Sequence, residues 1–258
     1  MQQEQAVPRT ERLLRKVPEI TVYFWIVKLL STAMGESTSD FFVYHINPYV
    51  AVVLGFVGLI GSLILQLVVR RYVTWIYWTT VVMVAVFGTM AADVTHVVLG
   101  VPYVASSTVF AIVLALVFVV WHRVERTLSI HTVTAGRREL FYWATIISTF
   151  ALGTAAGDMT AASFHLGYLV SIIVFAALFI APGIGYFLFG LNEVVAFWLA
   201  YVVTRPLGAS VADWLGKPFL GGLGLGDGKI ALGLTILIAG MLAFLTVTRK
   251  EIPRATPS

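Results

Sequence analysis

Residues 142–158 read YWATIISTFALGTAAGD, and the same frame returns as FWIVKLLSTAMGESTSD at 24–40, YWTTVVMVAVFGTMAAD at 77–93 and FWLAYVVTRPLGASVAD at 197–213. In each stretch a tryptophan preceded by an aromatic residue is followed ten residues later by glycine and fifteen later by aspartate. The four sets are Trp25/Gly35/Asp40, Trp78/Gly88/Asp93, Trp143/Gly153/Asp158 and Trp198/Gly208/Asp213. This composition would produce such a triple about 0.01 times by chance, so four at near-regular intervals are an internal repeat. Tyr49, Tyr103 and Tyr168 follow the first three aspartates by nine or ten residues and open the next apolar run, whereas the fourth unit carries a glycine-rich insertion from Gly221 to Gly228. Each unit therefore reads as one helix carrying the glycine and aspartate plus a return helix.

Composition supplies the solvent. The 258 residues are 59% hydrophobic and 12% charged, against about 25% charged in a soluble domain, and the mean hydropathy is +0.91. The expected fold is an all-α, polytopic membrane bundle of eight transmembrane helices built from four parallel two-helix repeats. Hydropathy places the spans at about 20–40, 48–69, 73–96, 103–123, 139–160, 167–188, 192–213 and 229–248. Arg70 and Arg71, then Arg123, Arg126, Arg137 and Arg138, then Arg249, Lys250 and Arg254 mark one side, while the connections near 41–47, 97–102 and 161–166 have no lysine or arginine. The positive-inside rule puts the basic side and both termini in the cytoplasm of a bacterial inner membrane. Lys217 and Lys229 on the other side run against the rule. The expected organisation is a cytoplasmic tail over 1–18, one membrane domain over 19–248 and a second cytoplasmic tail over 249–258. The repeats fall at about 19–70, 71–126, 137–189 and 190–248. The basic residues thus set topology and do not point to nucleic acid. With no cysteine, disulfides, thiolate nucleophiles and thiolate-bound metals are excluded.

The chain resembles a family of bacterial integral membrane proteins of unknown function, made of four tandem repeats with two spans and a characteristic tryptophan each. The resemblance covers about residues 17–250. It rests on Lys16-Val17-Pro18-Glu19 leading into Phe24-Trp25, on Glu125-Arg126-Thr127-Leu128-Ser129-Ile130-His131, on Gly153-Thr154-Ala155-Ala156-Gly157-Asp158 and on Thr204-Arg205-Pro206-Leu207-Gly208-Ala209-Ser210. It implies the eight-span architecture and brings no site residues with it.

The chemistry must come from the repeat. Units with an even number of spans enter the membrane in the same sense, so the four aspartates lie at nearly one depth. Fifteen residues of helix rise about 22 Å, which puts Asp40, Asp93, Asp158 and Asp213 in the outer part of the membrane, each near the C-terminal end of its helix. Intramembrane carboxylates face an interior site or a water path, and a ring of carboxylate oxygens suits a divalent cation or relayed protons. Whether the four meet at one axis or form two pairs is open at this level. Glu36, four residues before Asp40, adds a second carboxylate to the same helical face. Arg205 lies about one turn short of the level of Glu36, so the two can pair. Lys28 is a further intramembrane cation whose stem can snorkel or serve a helix interface. Ser37, Thr38, Ser39, Thr89, Thr154 and Ser210 offer neutral oxygens, and His45, His96 and His165 follow three of the aspartates at unequal offsets. Gly35, Gly88, Gly153 and Gly208 let helices approach closely, and Trp25, Trp78, Trp143 and Trp198 serve as interface anchors or packing groups. Glu125 and Glu139 are expected to balance the surface arginines.

These residues point to a small cation transporter, most concretely a proton-coupled carrier of a divalent metal. No phosphate-binding loop is present to supply direct ATP driving. The metal would be substrate; no cofactor is called for and no catalytic residue is assigned. The partners are the lipid bilayer, a cation or small solute and, for an oligomer, a second copy of the chain. The alternatives are a structural or accessory membrane subunit and, further off, a lipid-directed membrane enzyme, for which neither a zinc-protease nor a nucleophile-elbow pattern is present.

Overall fold

Asn47 and Asn192 show how the helices start. Each side-chain oxygen accepts an N–H of the following first turn, from Tyr49 at 3.0 Å and from Val194 at 3.0 Å, and Pro48 occupies the first helical position, where a missing donor costs little. The computed structural model describes residues 15–251. Eight long helices follow one another: α1 (Val22–His45), α2 (Pro48–Val68), α3 (Thr74–Asp93), α4 (Tyr103–Glu125), α5 (Arg137–Asp158), α6 (Gly167–Phe189), α7 (Glu193–Gly216) and α8 (Asp227–Thr248). Single π turns, Val94–Val98 and Met159–Ser163, extend α3 and α5 past their aspartates. There are no strands among the described residues, only an isolated bridge between Arg15 and Thr134.

The repeat helices form an inner ring and the return helices an outer one. α1, α3, α5 and α7 pack each on the next, with α7 closing on α1. In the apolar stretches of α3, α5 and α7, 56–67% of residues are buried, against 11–22% in α2, α4, α6 and α8. The outer helices turn side chains such as Val57, Leu116, Ile173 and Ile236 outward, an arrangement for lipid and not for water. Each return helix packs chiefly on the inner helix of the next repeat: α2 on α3, α4 on α5, α6 on α7, and α8 back on α1. The fourth repeat thereby closes the circle.

Seven of the eight helices are long and apolar enough to cross a membrane, and the protein is a membrane-embedded helical bundle. The exception to the expected eight is α1. It has the length, 24 residues, but carries Lys28, Glu36 and Asp40. All three are buried inside the ring, so its charge meets protein and not lipid.

The ends of the described chain fold onto the basic end of the bundle. Residues 1–14 and 252–258, with Arg9, Arg12 and Arg254 of the expected tails, lie outside the described residues. Lys16 is buried: its backbone N–H donates to Val133 at 3.0 Å, and its ammonium meets Glu139 at 2.9 Å and the carbonyls of Gln66 and Val69 at the end of α2. Glu139 is therefore an interior partner of Lys16 instead of a surface balance, whereas Glu125 does face the arginines, at 2.9 Å from Arg138 and 3.3 Å from Arg137. Glu251 accepts the Glu19 N–H at 2.9 Å on its carbonyl and holds Thr74 and the Trp78 indole on its carboxylate.

Candidate functional site

From the aromatic residue that precedes each tryptophan, steps of four residues mark one side of each inner helix, because 3.6 residues make a turn. The first row is Phe24, Tyr77, Tyr142 and Phe197, and the second is Lys28, Val81, Ile146 and Tyr201. The third is Thr32, Ala85, Phe150 and Arg205, and the fourth is Glu36, Thr89, Thr154 and Ala209. Every member of these rows is buried. Contacts across the ring place them at its axis: Lys28 on α1 reaches Phe150 on α5, and Arg205 on α7 reaches Thr89 on α3. The fifth row is the aspartates.

The motif glycines make the ring possible. A Cβ on Gly35 would meet Ala85, one on Gly88 would meet Phe150 at 3.1 Å, one on Gly153 would meet Arg205 and Pro206, and one on Gly208 would meet Thr32 and Ala33. Each glycine thus faces the residue three places before the glycine of the next repeat, all the way around. The tryptophans are packing groups. Trp78, Trp143 and Trp198 are buried, and the Trp198 indole donates to the Leu128 carbonyl at 2.9 Å.

At the axis, one guanidinium nitrogen gathers three repeats. Arg205 Nη2 lies 2.5 Å from Glu36 Oε2 and 2.8 Å from Thr154 Oγ1, and it also donates to Thr89. Glu36 and Arg205 form the pair that their levels suggest. Lys28 does not snorkel; its ammonium stays buried over Phe150 and Tyr201, with no hydrogen-bond partner among the described residues.

One turn beyond, the aspartates divide. Oxygens of Glu36, Asp40 and Asp213 lie within 4.8 Å of one another, all three residues buried. The Lys217 ammonium sits 3.0 Å from Asp40 Oδ2 and 2.8 Å from Asp213 Oδ1, and neither oxygen accepts an aligned hydrogen bond. Burial works against the charge of Lys217, but Asp213, Asp40 and Glu36 outweigh it and hold the ammonium well above the ordinary lysine range. Asp93 and Asp158 are half-buried at the start of the two π turns and lie outside the three-carboxylate group. All four aspartates stand near a helix C-terminus, as the sequence suggests: Asp93 and Asp158 are the last residues of α3 and α5, while α7 runs on from Asp213 to Gly216 and α1 from Asp40 to His45.

The glycine-rich insertion folds back over the end of α7. Leu223, Gly224, Leu225 and Gly226 donate to the carbonyls of Trp214, Lys217, Leu215 and Gly216, which fixes the segment that carries Lys217. The histidines do not join the cluster. His45 contacts the Phe41 carbonyl at 2.8 Å, His96 contacts that of Val101 at 3.0 Å, and His165 is exposed. Ser37 and Ser39 are buried without a hydrogen-bond partner. Sequence reasoning treated Lys217 as a violation of the charge rule and missed its role here; its position four residues after Asp213 on the same helical face was the available signal.

The chain matches the family described as Repeat of Unknown Function (DUF347) at residues 23–72, 76–127, 141–190 and 196–251. It belongs to this repeat family. No curated protein and no solved structure matches it significantly. Each DUF347 match spans one inner helix with its return helix, so the row positions above are equivalent positions of one repeat.

Proposed function

We propose that the protein is a small cation transporter, and not an enzyme, with a divalent metal ion as its substrate and Glu36, Asp40 and Asp213 as its first ligands. The observation that carries this reading is the convergence of three buried carboxylates from the first and fourth repeats to within 4.8 Å. Hard divalent cations take oxygen ligands of this kind, and the Lys217 ammonium already holds, at 3.0 Å from Asp40 and 2.8 Å from Asp213, the place of a positive charge among them. Lys217 acts as a built-in counter-ion that an entering metal displaces. Buried carboxylates require compensation, so departure of the metal returns the lysine or brings protons to the site, which links transport to a proton gradient. Asp93 and Asp158, at the same depth, line the approach on the far side of the ring. The basic end faces the cytoplasm of a bacterial inner membrane, and the acidic end opens outward.

Uptake of Mn2+ or Zn2+ into proteoliposomes loaded with a metal-sensitive dye tests the reading. Asp40→Asn and Asp213→Asn should each slow uptake by about tenfold or more at unchanged reconstitution. A second reading, a structural or accessory subunit, is favoured by the same lysine, because Lys217 already pairs with both aspartates and ties the fourth repeat to the first. Absence of metal flux with the wild-type chain, together with a lowered unfolding temperature in Lys217→Met, supports that second reading and removes the first.

A further inference from the structure

Residues 15–19, which lead into α1, close the basic end of the ring. The ring order puts α5 across from α1, yet Lys16, upstream of α1, lies against the first turn of α5: its ammonium is 2.9 Å from Glu139 and also meets the carbonyls of Gln66 and Val69. Between these points Glu19 donates its backbone N–H to Glu251 at 2.9 Å, and the Glu251 carboxylate holds Thr74 and Trp78 of α3. Residues 15–19 therefore run as a strap across the end of the ring, from α1 past α3 to α5. Arg15 pairs with Thr134 in an isolated antiparallel bridge, and the Lys16 N–H donates to Val133 at 3.0 Å. Val17, 1% exposed, packs with Ile130 and Val133 into the same apolar cluster as Phe24, Tyr77 and Tyr142 of the first row.

The strap belongs to no helix, and its polar seat rests on the bridge, the backbone bonds to Val133 and Glu251, and the Lys16–Glu139 pair. A buried ion pair recovers in Coulomb attraction about what its charges lose in desolvation, so it adds little net stability over an apolar contact. Here the balance is poorer still. Glu139 Oε1 takes both Lys16 and the Gln66 amide, at 3.1 Å, while Oε2 is buried without a hydrogen-bond partner among the described residues. An unpaired buried oxygen costs free energy that hydration returns. Apolar packing of Val17 thus holds the strap down, and hydration of Glu139 and Lys16 favours its release. Opposed terms of this kind make a two-position element.

We infer that residues 15–19 are the cytoplasmic gate of the ring, with the Lys16–Glu139 pair as its latch. The inference rests on the transport reading, in which a carrier exposes its site to one side at a time. The acidic cluster lies at the far end of the ring from the strap, so a cation released toward the cytoplasm must pass the first-row rings and then the strap. The structure is the state closed on the cytoplasmic side. Opening lifts Val17 out of its cluster and brings water to Lys16 and Glu139.

The chain has no cysteine, so introduced thiols report alone. Arg15→Cys with Thr134→Cys sets two thiols at a bridge pair, a spacing at which they can join. In proteoliposomes the oxidised pair should lower Mn2+ uptake by about tenfold or more while keeping Mn2+ binding in equilibrium dialysis, and dithiothreitol should restore uptake. Unchanged uptake by the oxidised pair overturns the gate and leaves transport standing; absence of uptake by the wild-type chain removes the transport reading and the gate with it. A second measurement follows the latch without transport. In the purified full-length protein, Val17→Cys should react with a maleimide about tenfold faster once Glu139→Gln is added. Equal rates overturn the latch. Should Glu139→Gln fail to fold, Lys16→Met gives the same comparison with the same two outcomes.

Discussion

Arg205 joins three repeats through a single nitrogen, so the cost of disturbing it depends on what is left behind. Removing one member of a buried ion pair strands the other, at about 3–5 kcal/mol, whereas removing both leaves only a packing change. Glu36→Gln and Arg205→Met should therefore each lower the unfolding midpoint strongly, and the double variant should recover most of the loss. Additive losses in that cycle would mean that the 2.5 Å contact carries little coupling. Lys217 makes a different prediction. Its proton affinity is raised on folding, so its contribution to stability is complete below the ordinary lysine range and disappears as pH rises through the higher folded-state value. Unfolding midpoints on the alkaline side, compared between wild type and Lys217→Met, should show the wild-type advantage shrinking with increasing pH; a constant difference would contradict the ion-pair account. Of these residues, the Glu36–Arg205 pair was legible because repeat offsets put both at neighbouring levels. Lys217 was not, because a charge rule sorts residues by membrane side and does not see contacts.

Among the elements, glycine separates the two rings. In the inner ring the glycines are contact points: a Cβ at Gly208 would run into Thr32 and Ala33, and one at Gly35 into Ala85. Gly208→Ala and Gly35→Ala should each cost about 1–3 kcal/mol as the helices are forced apart. On α8, a Cβ at Gly233 or Gly240 meets nothing within 4 Å, so the same change there should be neutral or stabilise by about 0.5–1 kcal/mol through helix propensity alone. Unfolding midpoints of the four variants in one detergent check the contrast, and equal effects in both rings would remove it. The period of the repeat by itself marks the inner glycines as a class. Hydropathy also located the helices, but it misjudged α1, whose charges are tolerable only because the other three inner helices enclose them. It gave no hint that a return helix packs on the following repeat, since one lipid-facing apolar helix carries much the same pattern as another.

At the scale of the whole molecule, the consequence of that offset packing is closure without a seam. α8 covers α1 as α2 covers α3, and the backbone of Glu19 meets that of Glu251 at 2.9 Å beside the buried Lys16. Chain order and spatial order are therefore separable. A circular permutant with residue 251 joined to residue 15 by a short flexible linker, and opened at the exposed Gly190–Asn192 connection, presents the repeats in the order four, one, two, three. Every inner helix keeps both of its ring neighbours and every outer helix keeps its seat, so the permutant should give a monodisperse peak in detergent and an unfolding midpoint close to that of the parent. Deletion of α8 is the opposing case. It strips α1 of the return helix that covers its outer side, and although Lys28, Glu36 and Asp40 face the ring, α1 is, among the described residues, the long helix that falls short of a membrane span in apolarity. That truncation should aggregate where the permutant does not. If the permutant aggregates as well, ring closure depends on the order in which repeats leave the ribosome, and the symmetry of the folded state is not enough to direct assembly.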